Sequence, residues 1–191
     1  MHFRIQVVTV TDEGTEHIQE IADLIRSEAT LETIGVSLAE SKQMLRSLQE
    51  TMVQQQVASY LQQQRPCPHC QKNRDLKESE ESPFRTLFGT IQVPNPRWRH
   101  CSCQQQQHNT FRPLASLLPE RTSPELLYLE TKWAALASYG ITVKQLHEVF
   151  PIDQKHSAVT VRNHLFQVAQ RQEQAMGEEK VFFIRDLSGR A

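Results

Sequence analysis

The chain has 191 residues, 38% of them hydrophobic, and its 21 Lys and Arg against 22 Asp and Glu leave a net charge of −1 that hides a local asymmetry. That length supports one core or two small ones. No apolar run reaches the roughly 18–20 residues needed to span a bilayer, and Met1-His2-Phe3-Arg4-Ile5-Gln6 lacks the apolar stretch of a secretory signal, so a cytoplasmic protein with no membrane partner is expected.

In chain order, FRIQVVTVT (3–11) is rich in β-branched residues and runs into Asp12-Glu13-Gly14, a turn signal; Ile18, Ile21, Leu24 and Ile25 come next. This predicts a β-hairpin. Ser37-Leu38-Ala39-Glu40 fits a capping box, and apolar residues from Leu38 to Leu61 then recur near every 3.6 positions, predicting a helix from about Ser37 to Gln64 that Pro66 stops. Its Gln runs, 54–56 and 62–64, read as solvated helix surface. Two short strands, Arg85–Phe88 and Thr90–Val93, are expected on either side of Gly89. Beyond them Pro94, Pro96 and Pro113 punctuate the chain, and Gln104–Gln107 form a polar loop. Ser123-Pro124 predicts the cap and first residue of a helix running to a stop at Gly140. Thr142 is expected to cap a short helix, Val143 to Val149, ended by Pro151. Ser157 or Thr160 then caps a longer helix to about Met176. Val181-Phe182-Phe183-Ile184 reads as a strand in need of a partner.

The fold class expected is therefore α+β, in four segments. Residues 1–64 carry the hairpin and long helix, 65–121 a zinc-ribbon-like segment, and 122–177 a helix-turn-helix-like unit. Residues 178–191 carry the terminal strand of a truncated domain.

The four cysteines form two close pairs, Cys67-x-x-Cys70 and Cys101-x-Cys103, separated by a β-like segment. Zn²⁺ takes four ligands in a tetrahedron, and two turns that each offer two thiolates about 2.3 Å from one metal close its shell. All four cysteines are used, so one structural zinc site is the reading, with Cys67, Cys70, Cys101 and Cys103 as ligands. His69 or His100 can stand in for a cysteine. A redox pair needs the cysteines to open a helix after a strand, whereas here they come after a helix. Disulfides are disfavoured in a reducing cytosol.

Between Glu81 and Glu120 there is no acidic residue, while Arg85, Arg97, Arg99 and Arg112 fall in that span. Four arginines on a zinc-stapled scaffold suit a phosphate backbone. Trp98 either stacks on a base or packs in the small core. In the last helix Val161, Leu165, Val168 and Ala169 form one stripe and leave Thr160, Arg162, Asn163, Gln167 and Arg171 facing outward; Arg and Asn or Gln are side-chain types that read base edges in the major groove, with Arg162, Asn163 and Gln167 the base-reading candidates. The turn before that helix is longer than the usual 3–4 residues of a helix-turn-helix.

No catalytic residue is assigned. The five aspartates (Asp12, Asp23, Asp75, Asp153 and Asp186) show no paired placement on a buried strand, and no P-loop, G-x-S-x-G or H-E-x-x-H occurs.

The order of features, with QQQVASYL…RPCPHC, FRTLFGTIQVPNPRWRHCSC and LLPERTSPELLYLETKWAALASYGITVKQL, resembles the N-terminal half of bacterial insertion-sequence transposases of the ISKra family (the Kra-four group). The resemblance spans nearly the whole chain. It implies a protein that acts on DNA at transposon ends, with the metal-dependent DDE catalytic domain lying beyond the zinc-binding and helical region. The chain ends before the first catalytic aspartate of that pattern, so no enzymatic activity is expected of it alone. A different class of reading is a protein-interaction module, in which the Met/Leu/Val stripe of helix 37–64 forms a homodimer and the zinc ribbon acts as a brace.

Overall fold

The computed structural model describes residues 1–11, 14–103 and 109–177. The expected strand 181–184, the segment 178–191 and the Gln104–Gln107 loop lie outside the described residues.

Strands β1 (His2–Val10) and β2 (Glu16–Ile25) pair antiparallel as expected, with an irregularity between Ile5 and Gln6. Helix α1 (Leu38–Gln64) carries the predicted capping box: the Ser37 hydroxyl accepts from the Glu40 N–H at 3.2 Å, and the Ser37 N–H donates to the Glu40 carboxylate at 2.9 Å. Arg26 joins the hairpin to this helix start, 2.8 Å from Glu40.

Strands β3 (Leu76–Thr86) and β4 (Gly89–Arg99) pair antiparallel, and a short β5 (Thr110–Phe111) joins β4 at Trp98 and Arg99. Both long strands extend well past the two short ones expected. Lys77 to Glu81 are a polar run that carries no strand signal of its own, and they become strand by pairing. Pro94 and Pro96 are two residues apart, so both missing N–H groups fall on one edge of β4, beyond the short reach of β5. Phe88 is in the turn rather than a strand. Thr86 closes that turn, accepting from the Phe88 N–H at 3.1 Å and donating to the Gly89 carbonyl at 2.9 Å. Gly89 sits at φ +123, a conformation that strains any side chain, with Arg46 and the Pro151 carbonyl 3.6 Å from where a Cβ would stand.

A single helical turn, α2 (Leu114–Leu117), precedes α3 (Pro124–Ala134), α4 (Tyr139–Val149) and α5 (Ala158–Met176). Ser123 and Ser157 cap α3 and α5 as expected. The boundary between α3 and α4 differs from the expectation. Ser138 is the cap, accepting from the Ile141 N–H at 3.4 Å, so Gly140 lies inside α4 and is not a stop. Thr142 is fully buried and turns its hydroxyl back to the Ser138 carbonyl at 3.2 Å. A serine one turn earlier satisfies the free N–H groups, so no left-handed glycine is required.

Two apolar clusters hold these elements. Val53 and Val57 of α1 pack with Ile91 and Val93 of β4 and with Leu114. Leu87, in the β3–β4 turn, packs with Leu126, Leu146 and Ile152, flanked by Phe88, Trp133 and Phe150. Backbone bonds reinforce the second junction: the Arg85 N–H donates to the Arg121 carbonyl at 2.9 Å and the Ser123 N–H to the Arg85 carbonyl at 2.8 Å. Lys42 of α1 donates to the His147 and Glu148 carbonyls near the end of α4, where a helix favours positive charge.

Within the helical unit Glu130 is completely buried. His164 Nδ1 lies 2.5 Å from one of its oxygens, and His156 Nε2 lies 3.2 Å from the other without hydrogen-bond alignment. Burial raises the Glu130 carboxyl, and the two histidines more than offset that, leaving it below the ordinary value of 4.5. A depressed carboxylate stabilises the fold above its unfolded pKa, and that contribution disappears as pH falls through the folded value. Glu130→Ala is expected to cost about 3–5 kcal/mol at neutral pH, since it strands the buried His156 imidazole and removes the partner of the half-buried His164. Denaturant unfolding measured from pH 7 down to pH 3 checks both points: the gap between wild type and variant should shrink at the acid end.

Candidate metal centre and basic surface

The first cysteine pair sits where the chain leaves α1. Pro66 and Asn73 form a bridge, the Cys67 N–H donates to the Lys72 carbonyl and the Gln71 N–H donates to the Cys67 carbonyl, both at 2.9 Å. Gln71 takes a left-handed φ of 60, which folds the loop back on itself. Arg74 donates to the Gln64 carbonyl at the end of α1 at 2.6 Å and lies over the Phe111 ring, 4.8 Å from its centre. The second pair comes after β4. The Arg99 N–H donates to the Asp75 carbonyl at 2.9 Å and the His100 N–H to the Asn109 carbonyl at 3.0 Å, which carries the ladder up to Cys101. The two turns therefore meet at one end of the sheet.

There the four sulfurs lie within 4.8 Å of one another. Cys67 Sγ is 3.5 Å from Cys103 Sγ, and Cys70 Sγ is 3.3 Å from Cys101 Sγ. A tetrahedron with sulfurs about 2.3 Å from its centre has edges of about 3.8 Å, whereas a disulfide bond is about 2.05 Å. The spacing fits a shared ion and excludes bonded pairs. The Cys70 and His69 N–H groups point at the Cys67 sulfur and, against burial, hold its thiol down at about 6. Cys101 is lowered in the same way by the Cys103 N–H, while Cys103 is pushed up to about 12 by the neighbouring sulfurs of Cys101 and Cys67. Four thiolates this close repel one another, and a divalent cation removes that repulsion. The four cysteines can thus hold a metal ion.

The aromatic residues next to the cluster are structural. Trp98 is buried and meets Phe111 edge-on at 6.0 Å, and His100 stacks on Phe111 at 4.7 Å. Trp98 therefore packs in the core rather than standing free to stack on a base.

Compared with known protein families, with curated proteins and with solved structures, the chain gives no match.

The expected basic residues do not form one surface. Arg97 and Arg112 share Glu78, at 3.1 and 3.2 Å, and Arg112 also reaches Glu80 at 3.0 Å. The acidic residues that neutralise them lie just before the acid-free span, on the facing strand. Arg99 is exposed. On α5, Arg162, Asn163 and Gln167 face solvent as expected, with the Arg162 guanidinium 5.9 Å from the Phe166 ring centre. Arg85 and Gln167 line one open cleft, together with Glu120, Thr122, His164 and Arg171. Periodicity places Arg171 on the outer face of α5 but gives no sign that α5 runs past Arg85. Among the described residues, no helix is long and apolar enough to cross a membrane.

Cys67→Ser, at the most buried ligand, is expected to abolish stoichiometric metal binding. Removing the metal with a strong chelator should lower the melting temperature by on the order of 10 °C. Metal analysis and calorimetry check this; a chelator-insensitive melting curve contradicts it.

Proposed function

We propose that the chain is the zinc-stabilised DNA-binding region of an insertion-sequence transposase, separate from the carboxylates that cut and rejoin DNA. Four soft thiolates at tetrahedral spacing suit zinc and leave no open position for catalysis. The ion supplies a cross-link between the exit of α1 and the exit of β4. The DNA role is supported above all by α5, a well-capped helix whose solvent face carries Arg162, Asn163 and Gln167. Arg and the amides are the side chains that pair with guanine and adenine edges. Arg99 and Arg85, both exposed, add phosphate-directed charge. The three helices α3, α4 and α5 would act as a helix-turn-helix-like unit with a long second turn.

A second reading, self-association, is favoured by a specific observation. Phe3, Ile5, Val8, Val10, Ile18 and Ile25 of the hairpin are exposed, as are Leu45 and Met52 of α1. A two-stranded ribbon is marginal by itself, and exposed apolar area of this kind marks contact sites. Val53, Val57, Tyr60 and Leu61, by contrast, are already used within the chain, so only the N-terminal part of the α1 stripe is left for a partner.

A mobility-shift assay tests the DNA reading. Duplexes carrying terminal inverted repeats of a related element should shift at lower protein concentration than random duplexes of equal length, and Arg162→Ala should weaken that preference by about 1–3 kcal/mol. Equal binding to both duplexes removes base reading, and no binding at low salt removes the DNA role.

A further inference from the structure

The cleft between α5 and the 119–122 segment has a volume of about 510 Å³ and is not needed to explain the fold. Its walls come from parts of the chain that the sequence gives no reason to associate. Arg85 and Thr122 approach from the sheet junction, where the parallel bridge between them fixes their backbones. His164, Gln167 and Arg171 approach from α5 at i, i+3 and i+7 spacing, which puts them on one face. Glu120 closes one side, with its carboxylate 2.6 Å from Arg171.

The position of His164 is built rather than incidental. Its Nδ1 is 2.5 Å from the fully buried Glu130, which fixes the plane of the ring and leaves Nε2 as its remaining polar atom in the cleft that the residue lines. Arg171 is aimed at an anion already, since it holds the Glu120 carboxylate. Both members of that pair are substantially exposed, so the contact is weak and open to exchange. Two guanidiniums and an amide facing one space form a set of donors for tetrahedral oxyanions, and His164, whose Nδ1–H is spent on Glu130, adds a donor at Nε2 only as the imidazolium. The chemistry is that of phosphate, either a backbone phosphodiester or the free ion.

We propose that this cleft grips a phosphate of the nucleic-acid backbone, with Arg85 and Arg171 supplying charge, Gln167 donating its amide from the border between the cleft and the base-reading face, His164 adding a donor at Nε2 when it is the imidazolium, and Glu120 holding Arg171 until DNA displaces it. The inference rests on the DNA-binding reading above and adds to it a location and a built-in competitor. A phosphate gripped between the sheet junction and α5 sets the angle at which the outer face of α5, with Arg162 and Asn163, meets the duplex.

The test uses the full chain loaded with zinc and fluorescence anisotropy on a labelled duplex over a range of salt concentrations. Arg171 is exposed, so Arg171→Gln leaves the fold intact; Arg85→Gln is checked by its melting curve. Each is expected to weaken binding by several-fold on every duplex alike and to lower the slope of log K against log salt by about one. Glu120→Gln is expected to do the opposite and tighten binding, because the competitor for Arg171 loses its charge. Unchanged affinity and slope in both arginine variants, with wild-type binding intact, overturn the cleft assignment and leave the DNA reading standing. Absence of wild-type binding at low salt overturns both. Inorganic phosphate at matched ionic strength separates the two sources: it should displace DNA no better than chloride. Selective displacement by phosphate that Arg171→Gln abolishes would make the occupant the free ion and overturn the backbone assignment.

Discussion

Four sulfur atoms within 4.8 Å of one another are a constraint that the protein alone does not satisfy. If protonated, they are weak partners held at a distance too long to bond. If ionised, they repel in a partly buried setting. A divalent cation would resolve the conflict, and in doing so it would fix the place where α1 ends relative to the place where β4 ends. The rest of the structure is laid out from that point. The Val53–Val57 face of α1 lies on Ile91 and Val93, β3 and β4 stay bonded as far as Asp75 and Arg99 past a register shift between Leu76 and Glu78, and the turn at Leu87 reaches the helices at the far end.

The interior of the helical unit has a different character. Its centre includes a buried carboxylate held by two histidines from outside its own helix: His156 from the segment before α5, and His164 from α5. Apolar packing alone does not fix the rotation of a helix such as α5, whose buried stripe is narrow. A directional contact to Glu130 does. It also commits one nitrogen of His164 to the interior, so the helix presents Gln167 and Arg171 to the cleft and Arg162 and Asn163 to solvent.

The parts of this arrangement that could be read from the sequence are those carried by local chemistry. The capping box at Ser37 and Glu40, the Ser123-Pro124 start and the Cys-x-x-Cys turn each act within a few residues, and each stands where it was expected. The convergence of the two cysteine turns was an inference from ligand number, and the geometry agrees with it. What escaped was set by partners distant in the chain. The Lys77–Glu81 run looks unlike a strand because its side chains face solvent and its backbone is held by β4 alone. Glu78 and Glu80 sit across from Arg97 and beside Arg112, which no count of charges along the sequence discloses. Glu130 lies in the middle of LLYLETKW and reads as ordinary helix surface until the two histidines are placed. The Ser138 cap was missed because Gly140 offered a familiar stop signal, and the serine two residues earlier outweighed it.

The central claim is that one ion is held by all four cysteines, and X-ray absorption at the metal edge of the purified chain tests it most directly. The account predicts a single shell of four sulfurs at about 2.3 Å around the proposed zinc, with one metal per chain. A shell containing nitrogen or oxygen in place of sulfur, or a well-folded chain that holds no stoichiometric metal, would contradict it.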